Sequence, residues 1–168
     1  AVQKGTGHAV QQALPKIPPG DVALILYGDV PLVQPATLKK LVTKAAKGQV
    51  AVLTAEMANP TGYGRILRGE RGAVIAIVEE MDATPQQRQL SEINTGLIAC
   101  PAGKLVKWIA RLKPNNAQKE YYLTDVISLA VKDGVPVAAV AAESEDEVLG
   151  INDKAQLAAA EKILRRRL

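Results

Sequence analysis

With 168 residues, 48% of them hydrophobic and 23% charged, the chain has the composition of one globular domain with a real core, which excludes a disordered segment. No run approaches the roughly 18 apolar residues of a membrane span, and "AVQKGTGHAV" has no basic region followed by an apolar core, so neither a membrane partner nor a signal peptide is expected. The net charge of +4 invites nucleic acid, but three of the positive charges cluster in "ILRRRL", where they complement a helix C-terminus, and aromatics are only 3%, so none is expected as a partner.

In chain order, "GHAVQQAL" reads as a helix and "VALILYG" (22–28) as a strand. Leu38, Leu41, Val42 and Ala45 follow helical spacing, with Gly48 as a stop. "VAVLTAEM" (50–57) is a second strand, and "NPTGYGRI" (59–66) a loop that returns into a short one. Strands are also expected at "AVIAIVEE" (73–80), "INTGLIAC" (93–100) and "VPVAAVAAE" (135–143). Helical stripes run through Leu105, Trp108, Ile109 and Leu112, and through Leu123, Val126, Ile127 and Ala130. A last helix from near Asp153 carries Leu157, Ala160, Leu164 and Leu168 on one stripe. Near-continuous apolar runs imply strands covered on both faces, as in a mostly parallel sheet. Strands alternating with helices predict one α/β layered domain. A single cysteine, Cys100, cannot form an internal disulfide, and the expected setting is reducing and cytoplasmic. The chain lacks an initiator Met and opens almost on "GTG", which reads as a fragment of a longer protein.

Several polar residues sit where chemistry is expected, each with a structural alternative. In open α/β sheets ligands bind beyond the carboxyl ends of strands, and Asp29 in "YGD" ends one. It is either a turn residue or a carboxylate ligand for Mg²⁺. Thr6, between Gly5 and Gly7, either caps a helix or borders an anion site at its start. His8 is the only histidine, supports neither a triad nor a zinc site, and reads as structural. Gly64 allows a ligand close to the backbone. Glu79 and Glu80 end another strand. Asn94 in "EINTG" fixes either a turn or a sugar hydroxyl. Thr124 caps a helix, or faces a ligand with Tyr122. Asn152 is either a helix N-cap or a ligand residue.

"GTGHA", "YGDVPL", "NPTGYGRI", "IVEEMDAT", "EINTG", "NNAQKEYYLTD" and "GIND", in this order, resemble the uridylyltransferase half of the bacterial bifunctional N-acetylglucosamine-1-phosphate uridylyltransferase/glucosamine-1-phosphate acetyltransferases. The resemblance covers essentially the whole chain. It implies a Rossmann-like nucleotide-diphospho-sugar transferase fold with a mostly parallel sheet, N-terminally truncated. Residues 1–152 would be a partial nucleotidyltransferase domain, and 153–168 a helix leading toward an absent β-helix domain. The implied reaction is Mg²⁺-dependent transfer of UMP from UTP to N-acetylglucosamine 1-phosphate. It yields UDP-N-acetylglucosamine, a cell-wall precursor, and pyrophosphate.

Carried over by motif, Gly5 and Thr6 would lie at the uracil, and Tyr27 and Gly28 would line the nucleotide-sugar site. Gly64, Glu79 and Asn94 would hold the N-acetylglucosamine, with Tyr122 and Thr124 nearby; Asp29 and Asn152 would hold the metal. The family's Gly-x-Gly-x-Arg triphosphate loop, the Gln that reads uracil and the hexapeptide repeats that build its homotrimer match nothing here. The 168 residues alone are therefore expected to be inactive or nearly so. A preceding segment or another chain is expected to complete the sheet. The alternatives are a related nucleotidyltransferase using UTP or dTTP and glucose 1-phosphate, or a non-catalytic nucleotide-sugar-binding remnant.

Overall fold

The computed structural model describes residues 3–167. In chain order it contains α1 (Thr6–Ala13), β1 (Val22–Ile25), α2 (Pro35–Ala46), β2 (Val50–Glu56), β3 (Gly64–Arg68), β4 (Val74–Val78), α3 (Pro85–Arg88), β5 (Glu92–Pro101), α4 (Ala102–Ile109), α5 (Asp125–Lys132), β6 (Val137–Ala141) and α6 (Lys154–Arg167). The sheet runs β4-β3-β5-β2-β6, with β1 also paired to β5.

The sheet is mostly antiparallel, which corrects the expected parallel one. Among the described residues only β2 and β6 pair in parallel; β1, β2 and β3 all pair antiparallel to β5, and β4 pairs antiparallel to β3. The cause is the position of one strand. β1, β2, β3 and β6 share a direction, β1 and β2 being joined by a crossover through α2, but the reversed β5 sits among them and takes most of the ladders. Apolar runs record coverage on two faces, and that part of the expectation holds: residues 93–100 of β5 are all buried. Coverage says nothing of direction.

Alternation sorts the core into two layers. Val50, Val52, Ile98 and Cys100 face α4 and α5 through Leu105, Trp108, Val126 and Ile127. Ala51, Leu53, Leu97 and Ala99 face α2 through Leu41 and Ala45. Helix α4 ends earlier than its apolar stripe; Leu112 is reached through a turn and stays buried. On α6 the stripe is not buried as a whole. Ala160 is covered and Arg167 donates to the Leu32 carbonyl at 2.7 Å, while Leu157 and Leu164 remain about half exposed; Leu168 lies outside the described residues. Burial pushes the Cys100 thiol up to about 12, so it is an inert core residue. No helix among the described residues is long and apolar enough to cross a membrane. Beside β1, on the edge away from β5, α1 and β1 line an apolar groove of about 350 Å³.

Trp108 is 1% exposed, and its indole N–H donates to Asp133 Oδ2 at 2.8 Å. Trp108→Ala should lower the unfolding free energy by about 3–5 kcal/mol through the cavity it leaves. A urea-unfolding loss below about 1 kcal/mol would show that the α4–sheet layer does not depend on it.

Candidate active site

β5 changes partner along one edge. Its last pair with β1 is Ile98 with Ile25, and its pair with the start of β3 is Asn94 with Gly64. Residues 95–97 therefore lack a strand partner on that edge. On the opposite edge the β2 register shifts between Val52 and Thr54. The polar groups at this break are satisfied locally. Thr95 Oγ1 donates to the Leu53 carbonyl at 2.9 Å, and Asn94 Oδ1 accepts from the Gly96 N–H at 3.2 Å. Gly96 has φ 85°, and a Cβ there would come within 2.3 Å of the Tyr27 ring. Glycine is needed for both the conformation and the close approach of the ring.

The gap opens a cavity of about 380 Å³, within the range of small-ligand sites. Tyr27 and Asp29 enter from the end of β1, Thr61 to Gly64 from the start of β3, and Asn94 to Gly96 from β5. Glu79 follows β4, and Val148, Gly150 and Asn152 follow β6. Asp29 and Glu79 follow strands of opposite direction. They meet because the cavity lies at a gap within the sheet, not beyond one edge of it.

The Ile151 N–H donates to the Asp29 carbonyl at 2.8 Å, which ties the segment of Asn152 to that of Asp29. Neither the Asp29 carboxylate nor the Asn152 carboxamide has a hydrogen-bond or ion-pair partner among the described residues. The N-cap alternative for Asn152 fails, because Asp153 Oδ1 accepts from the Gln156 N–H at 2.8 Å and does the capping. No group of three or more His, Cys, Asp or Glu side chains among the described residues could hold a metal. Two free hard oxygens do fit Mg²⁺, which takes one or two protein ligands and completes its shell with phosphate and water.

Glu79 is held by Thr124, whose hydroxyl donates to Oε1 at 2.7 Å. Its other oxygen lies 3.2 Å from where a Gly64 Cβ would stand, so a side chain at 64 would crowd it. Burial raises the Glu79 carboxyl above the usual range; the Thr124 bond pulls it down, and Asp125 and Asp82 push it up again. Burial, then the charges of Glu79 and Asp29, also raise the Tyr27 phenol, which stays a donor at neutral pH. The neighbouring Glu80 is spent elsewhere, pairing with the buried Arg65 at 2.9 Å.

Other expected residues do not line this cavity. Thr124 stands at the head of α5 but does not cap it; Tyr122 is buried and donates to Gln118 at 2.8 Å. Neither lines the cavity. Gly28 is exposed, with open space where a Cβ would be. Gly5 and Thr6 border a separate hollow of about 460 Å³ with Lys4 and His8, and the apolar groove shares Thr6 with that hollow and Tyr27 with the cavity. Thr6 is not a cap either: Gly5 holds that position, and Thr6 Oγ1 accepts from the Leu123 N–H at 3.0 Å. Reading the sequence singled out neither Gly96 nor Gly150. The one signal for Gly96 was its place in "EINTG".

Residues 1–108 match the MobA-like NTP transferase domain. The chain belongs to that family. It is 55% identical over 165 residues to the bifunctional protein GlmU of Alkalilimnicola ehrlichii, covering 98% of this chain and 35% of that protein. To the GlmU of Pseudomonas aeruginosa it is 54% identical over 162 residues, 96% of this chain and 36% of that protein. The chain thus spans about a third of the length of these relatives. Among solved structures it resembles a UDP-glucose pyrophosphorylase complexed with UDP-glucose, at TM-score 0.73 and 17% identity, over 99% of this chain and 64% of that one. A putative glucose-1-phosphate thymidylyltransferase from Bacillus anthracis gives TM-score 0.68 and 19% identity, over 98% and 63%. These two show a shared fold. By family, the domain is a nucleotidyltransferase.

The raised Glu79 carboxyl has a sign that can be tested. The fold holds its proton more tightly than the unfolded chain does, so its contribution to stability falls as pH rises from about 4.5 through the folded value. In a carboxyl NMR titration Thr124→Val should raise the Glu79 midpoint further, and Asp125→Asn should lower it. A lower midpoint in Thr124→Val would contradict the arrangement.

Proposed function

We propose that this domain transfers UMP from UTP to N-acetylglucosamine 1-phosphate, giving UDP-N-acetylglucosamine and pyrophosphate, within a longer protein of the bifunctional kind. The observation that carries the proposal is the pair of unpartnered oxygens, Asp29 and Asn152, tethered through the Ile151–Asp29 bond at one wall of a glycine-lined cavity. The similarity to GlmU proteins across nearly the whole chain favours N-acetylglucosamine over glucose.

On this reading the sugar lies in the cavity at the β5 gap. Gly64 admits it against the backbone, and Glu79 accepts from its hydroxyl or acetamide groups. Asn94 donates its free amide while its oxygen holds the Gly96 turn. Tyr27 covers the opening toward the nucleotide, and Gly5 and Thr6 lie at the base. A phosphate oxygen of the sugar phosphate attacks the α-phosphorus of UTP in line, and pyrophosphate leaves with the electron pair of the broken bond. No general base is required, because the attacking phosphate is already an anion near neutral pH. Mg²⁺ held by Asp29 and Asn152 would neutralise charge on the phosphate oxygens. The protein's share is orientation.

None of these residues replaces a Gly-x-Gly-x-Arg loop, so the proposal is binding without efficient turnover by the 168 residues alone. The free edge of β1 is the place where a further strand, from a preceding segment or another chain, would complete the sheet.

Calorimetry on the chain tests this reading. UDP-N-acetylglucosamine should bind more tightly with Mg²⁺ than without, and more tightly than UDP-glucose. Asp29→Ala and Asn152→Ala should each remove at least about tenfold of the Mg²⁺-dependent affinity, a loss that weaker outer-shell changes already cause. Affinity indifferent to Mg²⁺ would contradict the metal assignment, a preference for UDP-glucose the sugar assignment, and rapid pyrophosphorolysis by the isolated chain the predicted inactivity.

A further inference from the structure

Glu147 is 0% exposed, yet it is a carboxylate in an apolar setting. It takes part in none of the ion pairs among the described residues. Its two oxygens are met by backbone donors instead. Oε1 accepts from the Gln34 N–H at 2.9 Å, and Oε2 accepts from the Glu143 N–H at 3.1 Å. Gln34 is the residue from which α2 starts, so the carboxylate also stands at the positive end of that helix, whose first turn has no acid of its own. Glu143 lies just past β6, and the preceding Ala142 N–H bonds the Thr54 carbonyl of β2 at 2.8 Å. One side chain thus joins a helix start to the rim of the sheet.

The residues after Glu147 give the join a purpose. The chain passes through Val148 and Gly150 along the cavity wall to Asn152. The Ile151 N–H then bonds the Asp29 carbonyl. The loop from β1 to α2 and the loop from β6 to α6 are therefore tied at two points, 34 with 147 and 29 with 151, running antiparallel to each other. Buried Val30 and Val148, one from each loop, both join the apolar layer between the sheet and α2. A burial cost as large as that of a carboxylate is tolerated only where its hydrogen bonds are complete. Backbone groups fixed in position supply them here.

We infer that Glu147 is a positioning residue that sets the relative placement of Asp29 and Asn152, and through it the cavity's hold on a divalent cation; this rests on the metal reading of that pair. Glu147 touches neither the cation nor the substrate. It acts by fixing both loops that carry the oxygen donors.

Two isolated changes test the inference in the 168-residue chain. Glu147→Gln keeps the shape but offers one acceptor and turns an amide N–H₂ toward a backbone N–H. Gln34→Pro removes one of the two donors while keeping the carboxylate; Gln34 has φ −88° and ψ 143°, close to what proline adopts. The first readout is amide exchange by NMR without metal. Ile151 should exchange about tenfold faster or more in both variants, with Ile98 in β5 unchanged. The second is affinity for UDP-N-acetylglucosamine with and without Mn²⁺. The Mn²⁺-dependent gain should fall about tenfold, as for other supporting contacts of metal ligands, while the metal-free affinity stays within about twofold. Combining the two changes should cost less than the product of the separate losses, since both break one latch. If Glu147→Gln does not fold, Gln34→Pro carries both readouts. Unchanged Ile151 exchange would overturn the inference, as would affinities that fall in equal proportion with and without Mn²⁺, which a purely structural role gives. Wild-type binding indifferent to Mn²⁺, with Ile151 still responding, would overturn the metal reading and leave Glu147 a structural clamp only.

Discussion

β5 passes one edge from β1 to β3, and the three residues between those pairings decide the rest of the site. A continuous strand there would leave no cavity. The gap is stable because its backbone groups are not abandoned: Thr95 bonds across to Leu53, and Asn94 closes a turn on Gly96. Gly96 then lets the Tyr27 ring lie against the strand where any side chain would collide with it. Ends of strands with opposite direction converge at this gap, which places Asp29, Glu79 and Gly64 around one volume.

Around the gap, polar side chains divide into those already satisfied and those left free. Glu80 is committed to Arg65, Glu79 is half committed to Thr124, and Glu147 is fully committed to two backbone donors. Asp29 and Asn152 have nothing. Both are exposed at the wall of one cavity, where a carboxylate and a carboxamide oxygen without protein partners are open to an outside group. The loops that carry the free groups are tied to each other through the Gln34–Glu147 and Ile151–Asp29 bonds.

Much of this was legible in the sequence, for identifiable reasons. All five apolar runs became strands and the return of "NPTGYGRI" became β3, because burial on both faces and glycine turns leave strong local marks. Strand direction left none; the reversed β5 is as apolar as its neighbours, and so the sheet was misread as mostly parallel. The acid at the end of "LILYGD" and the Asn of "GIND" were singled out, and the structure brings both to one cavity. Asp29 does stand in a turn, closed by the Val30 N–H on the Tyr27 carbonyl, with its carboxylate unbonded, while at 152 the cap proved to be Asp153. Glu147 carried no signal at all. It reads as one more acid in "ESEDEV", and its burial depends on contacts with residue 34, more than a hundred positions away. Tyr122 and Thr124, expected near the ligand by motif, do not line the cavity themselves; their hydroxyls bond Gln118 and the cavity residue Glu79.

The central claim is that Asp29 and Asn152 together receive a divalent cation beside a bound nucleotide sugar. Crystals of the chain grown with UDP-N-acetylglucosamine and Mn²⁺ test it most directly, because manganese scatters anomalously and can be located without reference to the protein. The account predicts one anomalous peak coordinated by the Asp29 carboxylate, the Asn152 carboxamide oxygen and a diphosphate oxygen, with the sugar against Gly64 and Glu79. A nucleotide sugar bound with its manganese away from either residue would contradict it.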